Sequence, residues 1–376
     1  MILSRRSLRA RAVAAALMLL VPCAASRADT VTTTDPSPQI WLMEPGAVYT
    51  MRGGTVQPVS GRFSVSPPGA EPLRPLVSIP AEGQPGDLLR LEIDSEPPLV
   101  SAVASLSNGS GHVMTRAAGF RFTGSADGER WAALLGIPAG IKPGDYVLRL
   151  TTRADARTYL VLSPFTVQPR DFKNENIALN QQLTDLRTVP DPRKTAEANH
   201  LEAIVTTPHA DAVYDPLPFV LPLVGTHRSS GYGDRRTYQY SGAGDEVSIH
   251  TGVDIAAPSG SPVVACGRGR VVFAGSFLMT GWTVVIEHLP GLFSLYFHMS
   301  ALEVRQGQEV ETGQEIGKVG MTGFATGPHL HWEVESLGVS VDPDPLVGRP
   351  LLPSAPTSAA PPPAGPNSQA PAASAP

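Results

Sequence analysis

Polar and apolar positions alternate in two stretches of the first half of the chain. Leu89, Leu91 and Ile93 interleave with Arg90, Glu92 and Asp94, and Tyr146, Leu148 and Leu150 with Val147, Arg149 and Thr151. A period of two sends successive side chains to opposite faces, so each stretch predicts a strand with one face on a core. Each follows the same turn, Pro85-Gly86-Asp87 and Pro143-Gly144-Asp145, in which proline presets φ and glycine frees the next residue. Further strands are expected around Val100–Leu106, Gly119–Thr123, Trp131–Gly136 and Tyr159–Val167. Between Phe172 and Thr207 the spacing widens: Ile177, Leu183, Leu186, Leu201 and Ile204 stand among polar residues. This predicts two short amphipathic helices separated by Pro190 and Pro192. Beyond Leu221 the chain is glycine-rich, with strands expected at Pro262–Cys266 and Thr283–Glu287. After Leu351 no charged residue occurs.

The pattern is mainly β and divides the chain. Residues 29–72 read as irregular, 73–170 as an immunoglobulin-like β-sandwich, and 171–219 as a helical linker. Residues 220–350 read as a second β domain, and 351–376 as a disordered Pro/Ala-rich tail. Composition agrees: 36 glycines and 38 prolines in 376 residues supply turns, while 42% hydrophobic and 17% charged residues exclude a coiled coil and wholesale disorder. The first residues change the charge. Arg5, Arg6, Arg9 and Arg11 precede an apolar run, Ala12 to Ala25, too short to span a bilayer. Residues 1–28 therefore read as a secretory signal peptide ending at Ser26-Arg27-Ala28. Its removal takes away five arginines and no acids, moving the net charge from −5 to −10. Such a chain is a poor nucleic-acid binder. It keeps one cysteine, Cys266, read as a small buried side chain, and no transmembrane segment. Export is expected, to the periplasm first and the outside second.

The candidate chemistry lies in three histidine groups: His250-Thr-Gly-Val-Asp254, Tyr296-Phe-His298, and His329-Leu-His331-Trp-Glu333. Imidazole and carboxylate are good zinc ligands, and a catalytic zinc takes three protein ligands with one open position. In a strand, His329 and His331 project to the same face. His288, His227, His209 and His112 have no such company and read as ordinary structural or surface residues.

Together these groups resemble the M23 peptidases, the LytM or lysostaphin-type zinc endopeptidases of bacterial cell walls. Tyr232-Gly-Asp-Arg-Arg236, Asp254-Ile-Ala-Ala-Pro-Ser-Gly-Ser-Pro-Val and Gly307 to Gly317 match flanking motifs of that family. The resemblance covers roughly residues 220–348. It implies an antiparallel β domain with a substrate groove and one Zn2+ per chain held by His250, Asp254 and His331. It implies His298 and His329 as the catalytic histidines, and peptide stems of peptidoglycan as substrate. Tyr240 is a candidate oxyanion-stabilising residue, and Arg235 a candidate substrate contact or loop brace. A second reading is an inactive LytM-type scaffold that activates another cell-wall hydrolase. Scaffolds of that kind have lost ligands, and none is lost here. A carrier domain would need a lysine at a hairpin tip, whereas Lys318 falls among strand residues. A wall-binding role for the sandwich is compatible with the enzyme.

Overall fold

The computed structural model describes residues 39–42, 62–64 and 76–352, apart from 96–97, 123–128, 155–156, 213–216, 224–226 and 243. The leader expected over 1–28 and the tail beyond Leu352 lie outside these residues.

The first β region is one continuous ten-stranded sheet folded over on itself. Its order along the main path is Gln39–Leu42, Arg157–Val167, Gly144–Ala154, Ser101–Asn108, Val113–Phe122, Glu129–Gly136, Leu88–Ser95, Leu76–Ser78 and Arg62–Ser64. The fold-over lies within Val113–Phe122. Residues up to Ala118 pair with Ser101–Asn108, and residues from Gly119 pair with Glu129–Gly136. A Cβ on Gly119 would lie 2.6 Å from that of Ala102, so only glycine permits this close approach. Leu91, Ile93, Ala104, Leu106, Leu135, Leu148 and Leu150 meet inside as the core, the residues on the inward phase of the alternation. Gln39–Leu42 and Arg62–Ser64 come from the stretch read as irregular. They pair, respectively, with Arg157–Val167 and with Leu76–Ser78.

The linker holds a strand, Asn174–Ala178, and two helices, α1 (Gln181–Thr188) and α2 (Pro192–Val205). Asn180 caps α1 by accepting from Leu183 N at 2.9 Å, and Asp191 caps α2 by accepting from Arg193 N. Pro192 does not lie between the helices. It opens α2, where its missing N–H is no loss.

The C-terminal domain is built on an eight-stranded sheet. Its order along the main path is His227–Ser230, Val253–Ala256, His329–Ser336, Leu292–Met299, Gly281–Leu289, Gly269–Phe277 and Glu309–Val310; Val339–Val341 adds beside His329–Ser336. Its central strands are apolar on both faces because both are covered. Leu330, Trp332, Val334, Val284, Ile286 and Tyr296 form one core. On the other face Val285, Phe293, Leu295 and Phe297 pack under Leu201, Ile204 and Val205 of α2.

The first core continues across the domain boundary. Phe120, Phe122, Ala132 and Leu134 of the folded sheet share it with Leu346, Leu351 and Leu352. Across the boundary Ser336 Oγ donates to Leu134 O at 2.6 Å, and Arg170 pairs with Asp342. The packed domain thus runs through Leu352, two residues into the expected tail. No helix among the described residues is long and apolar enough to cross a membrane.

Candidate metal centre

Four of the sequence-expected residues sit on neighbouring strands. Val253–Ala256 pairs antiparallel with His329–Ser336, so Asp254 lies opposite His331, and His331 in turn opposite Phe297. His250 directly follows the strand Asp245–Ile249 and opens the short connection to Val253–Ala256. Gly252 is required there: a Cβ would lie 2.5 Å from Trp332 O and 2.8 Å from the His331 ring.

His250, Asp254 and His331 converge. His250 Nε2 lies 3.0 Å from His331 Nδ1 and 3.2 Å from Asp254 Oδ1, and His331 Nδ1 lies 3.0 Å from Asp254 Oδ1. Four ligands about 2.0 Å from a tetrahedral zinc stand about 3.3 Å apart. The three atoms therefore outline one face of such a tetrahedron and fit the ion.

Each of the three is oriented from behind, as metal ligands require. His250 Nδ1 donates to Gly231 O at 2.7 Å, which turns the lone pair of Nε2 toward the centre. His331 Nε2 faces Glu333 Oε2 at 3.4 Å, which leaves Nδ1 facing inward. Asp254 Oδ2 accepts from Arg236, and Arg236 is held in turn by Glu175 at 3.2 Å. Burial alone would raise the Asp254 carboxyl, but hydrogen bonds from His250 and His331 hold it well below the usual carboxylate range. Burial lowers His250. Burial would also lower His331, yet Asp254 and Glu333 outweigh it and lift the imidazole to about 9.

His298 and His329 flank the trio. Their ring centroids are 4.8 Å apart, and His298 lies 6.3 Å from the His331 ring. Both anchor Nδ1 on a backbone carbonyl at 2.8 Å, His298 on Thr322 O and His329 on Gly327 O. Both therefore keep Nε2 free of those anchors, and that of His329 lies 3.6 Å from Asp254 Oδ1. Burial, followed by the neighbouring His329 and His331, pushes His298 down to about 3. Burial likewise lowers His329, so both rings are neutral near pH 7. His298 has φ of 61°, in the left-handed region that non-glycine residues rarely occupy.

Tyr240 and Arg235 are not brought to the trio. The Tyr240 hydroxyl donates to Glu246, which also binds Arg187 of α1 at 2.6 Å. Arg235 donates to Gly233 O at 3.0 Å and Ala139 O at 2.9 Å and lies over Phe172, a brace between the domains. The neighbour, Arg236, is the one that reaches Asp254. The strand Arg235–Gln239 alternates, so Arg236 and Tyr238 share the face opposite Arg235. That alternation is the signal that separates the two arginines. His288, His209 and Cys266 fall outside the constellation. His209 Nδ1 meets the buried Glu287 at 2.6 Å. Burial raises the Cys266 thiol to about 12, so it stays protonated.

The family described as peptidase family M23 matches residues 248–343. Among curated proteins, the chain is 43% identical over 122 residues to the "DD-carboxypeptidase/endopeptidase Mpg" of Neisseria meningitidis serogroup B, covering 32% of this chain and 27% of that protein. It is 41% identical over 106 residues to the "Peptidoglycan DD-endopeptidase ShyA" of Vibrio cholerae, covering 28% of this chain and 24% of that one. The chain thus matches about a quarter of the length of these relatives. Among solved structures, a putative M23 peptidase from Pseudomonas aeruginosa aligns over 70% of this chain and 94% of its own at 27% identity, with a TM-score of 0.48. The C-terminal part of this chain is a family M23 peptidase domain of the LytM/lysostaphin type.

Proposed function

We propose that this protein is a zinc-dependent endopeptidase that cuts peptide cross-links of bacterial peptidoglycan, exported to the periplasm. One observation carries the reading: three ligand atoms 3.0–3.2 Å apart, beside two neutral histidines anchored through Nδ1. The names of the two relatives support a DD-endopeptidase. His250, Asp254 and His331 would hold the ion. When bound, zinc supplies Lewis-acid polarisation of the scissile carbonyl and activates the attacking water.

The remaining work falls to the chain's own side chains. A neutral imidazole with Nδ1 tied to a carbonyl has one nitrogen to offer, so Nε2 of His298 or His329 accepts the proton from water. The histidine that takes this proton becomes an imidazolium, and its Nε2–H then protonates the leaving amine; the second ring, whose Nε2 also carries no proton, orients the water by accepting its other O–H. Arg236, bonded to Asp254 Oδ2, fixes which of the carboxylate oxygens faces inward.

The test is metal analysis joined to mass spectrometry of muropeptides after digestion. The purified protein is expected to hold about one zinc per chain and to release cross-link fragments. His298→Asn, chosen because asparagine tolerates positive φ, is expected to keep the zinc and lose digestion. Full activity in that variant, or after complete removal of zinc, refutes the mechanism. Protein that holds zinc yet digests nothing would favour the scaffold reading.

A further inference from the structure

A cavity of about 380 Å³ lies between the two domains, away from the histidines, bounded by the strand Leu88–Ser95 and by the turn Asp344–Leu346. Its walls are largely apolar, with Pro80, Leu88 and Leu346 among them, but Arg90 and Arg349 also line it. Two carboxylates on the lining are already engaged. Asp87 accepts from Gln84 N at 2.7 Å, and Asp342 is paired with Arg170. The carboxylate that acts on Arg90 is Glu92, which also faces Arg130 at 3.6 Å. Among the described residues, Arg90 and Arg349 make no side-chain hydrogen bond or ion pair of their own.

Arg90 is half-buried and Arg349 exposed, so two guanidiniums border an apolar wall as open donors for an anion. Burial lowers the pKa of Arg90, and Arg349 lowers it further, against the pull of Glu92. Arginine forks match carboxylates in a planar, bidentate way. The apolar walls and the volume exceed what a bare inorganic anion uses.

We propose that this interdomain cavity binds a carboxylate carried on a small apolar body, with Arg90 and Arg349 holding the charge and the Leu88 and Leu346 walls the body. A peptide C-terminus and a short fatty acid share that chemistry, and either would join the domains at a point remote from the metal trio.

The experiment is isothermal titration of the full chain after metal removal, so that neither the metal trio nor peptidase activity bears on the result. The probes are N-acetyl-alanyl-alanine, its C-terminal amide, hexanoate and inorganic phosphate. Binding of either carboxylate is expected, with about a tenfold or greater loss on amidation, since a charge-assisted contact is worth about 1.5–3 kcal/mol. The ratio between dialanine and hexanoate tells peptide from fatty acid. Arg349→Gln, at an exposed position where folding is not at stake, is expected to weaken binding by a similar factor. Arg90→Gln is expected to do the same if circular dichroism shows it folded. Equal binding of acid and amide, equal binding of phosphate, or unchanged affinity in Arg349→Gln overturns the proposal.

Discussion

His288 makes the stability of the C-terminal domain depend on pH in a way that can be worked out in advance. Its ring is fully buried. Nδ1 donates to Arg268 O at 2.8 Å, and Nε2 accepts from Ser294 Oγ at 2.6 Å. Gly267 and Gly269 leave room for it: a Cβ on either would lie 3.2 or 3.0 Å from Nδ1. Burial holds its pKa down to about 4, against about 6.5 in an unfolded chain. As pH falls below 6.5 the unfolded state takes up a proton that the folded state refuses, so stability drops. The loss is complete below pH 4. The two pKa values give a loss of about 2 kcal/mol at pH 5 and about 3 kcal/mol at the acid limit. The perturbation is His288→Asn, whose amide can still donate to Arg268 O but does not titrate. Urea unfolding in chelator, followed by tryptophan fluorescence, would be run on both proteins at pH 7 and pH 5. Wild type is expected to be the more stable at pH 7, and its advantage to shrink by about 2 kcal/mol at pH 5. The metal-site histidines titrate in both proteins and cancel in the difference. An advantage unchanged by pH would refute the argument.

Three further outcomes follow from the geometry. Arg236→Gln is expected to weaken zinc binding about 10–100-fold in competition with a chromogenic chelator, because it frees the outer oxygen of Asp254; Arg235→Gln is expected to leave zinc affinity unchanged. Gly119→Ala is expected to lower the unfolding free energy by about 1–3 kcal/mol through the contact with Ala102, whereas Gly109→Ala, with nothing within 4 Å of its Cβ, stays within about 0.5 kcal/mol; chemical denaturation separates them. Asn180→Ala is expected to cost about 1 kcal/mol of stability by removing the α1 cap, with faster amide exchange at Leu183 as the local sign.

The convergence of His250, Asp254 and His331 was legible because they sit in short motifs: His250 and Asp254 four apart, and His331 two after His329. A strand carries the His329 and His331 spacing to one face by itself, whereas His250 lies outside the strand of Asp254 and is brought in by the short connection through Gly252. The helices were legible from the wider spacing of Leu183, Leu186, Leu201 and Ile204, although Ile177 of the same series lies in the strand Asn174–Ala178 and Pro192 opens α2 instead of preceding it. Arg236 was not singled out. Its value depends on Arg235–Gln239 running so that every second side chain faces Asp254, and two adjacent arginines look alike until the strand is placed. Tyr240 was drawn away by Glu246 and Arg187, partners that only the packing of α1 brings near. The strands Gln39–Leu42 and Arg62–Ser64 were obscured because pairing with distant segments, Arg157–Val167 and Leu76–Ser78, fixes them more than their own composition does. Leu351 and Leu352 were placed in the tail because proline and alanine follow them at once, yet both are buried in the shared core.

That shared core bears on cooperativity. Phe120, Phe122 and Leu134 lose their cover if the C-terminal domain opens, and Leu346, Leu351 and Leu352 lose theirs if the folded sheet opens. Neither half can melt while the other keeps its apolar contacts. Heating should therefore give one calorimetric transition for both domains. Cutting the chain at the sequence boundary would leave the peptidase half with an exposed greasy seam that favours aggregation over catalysis.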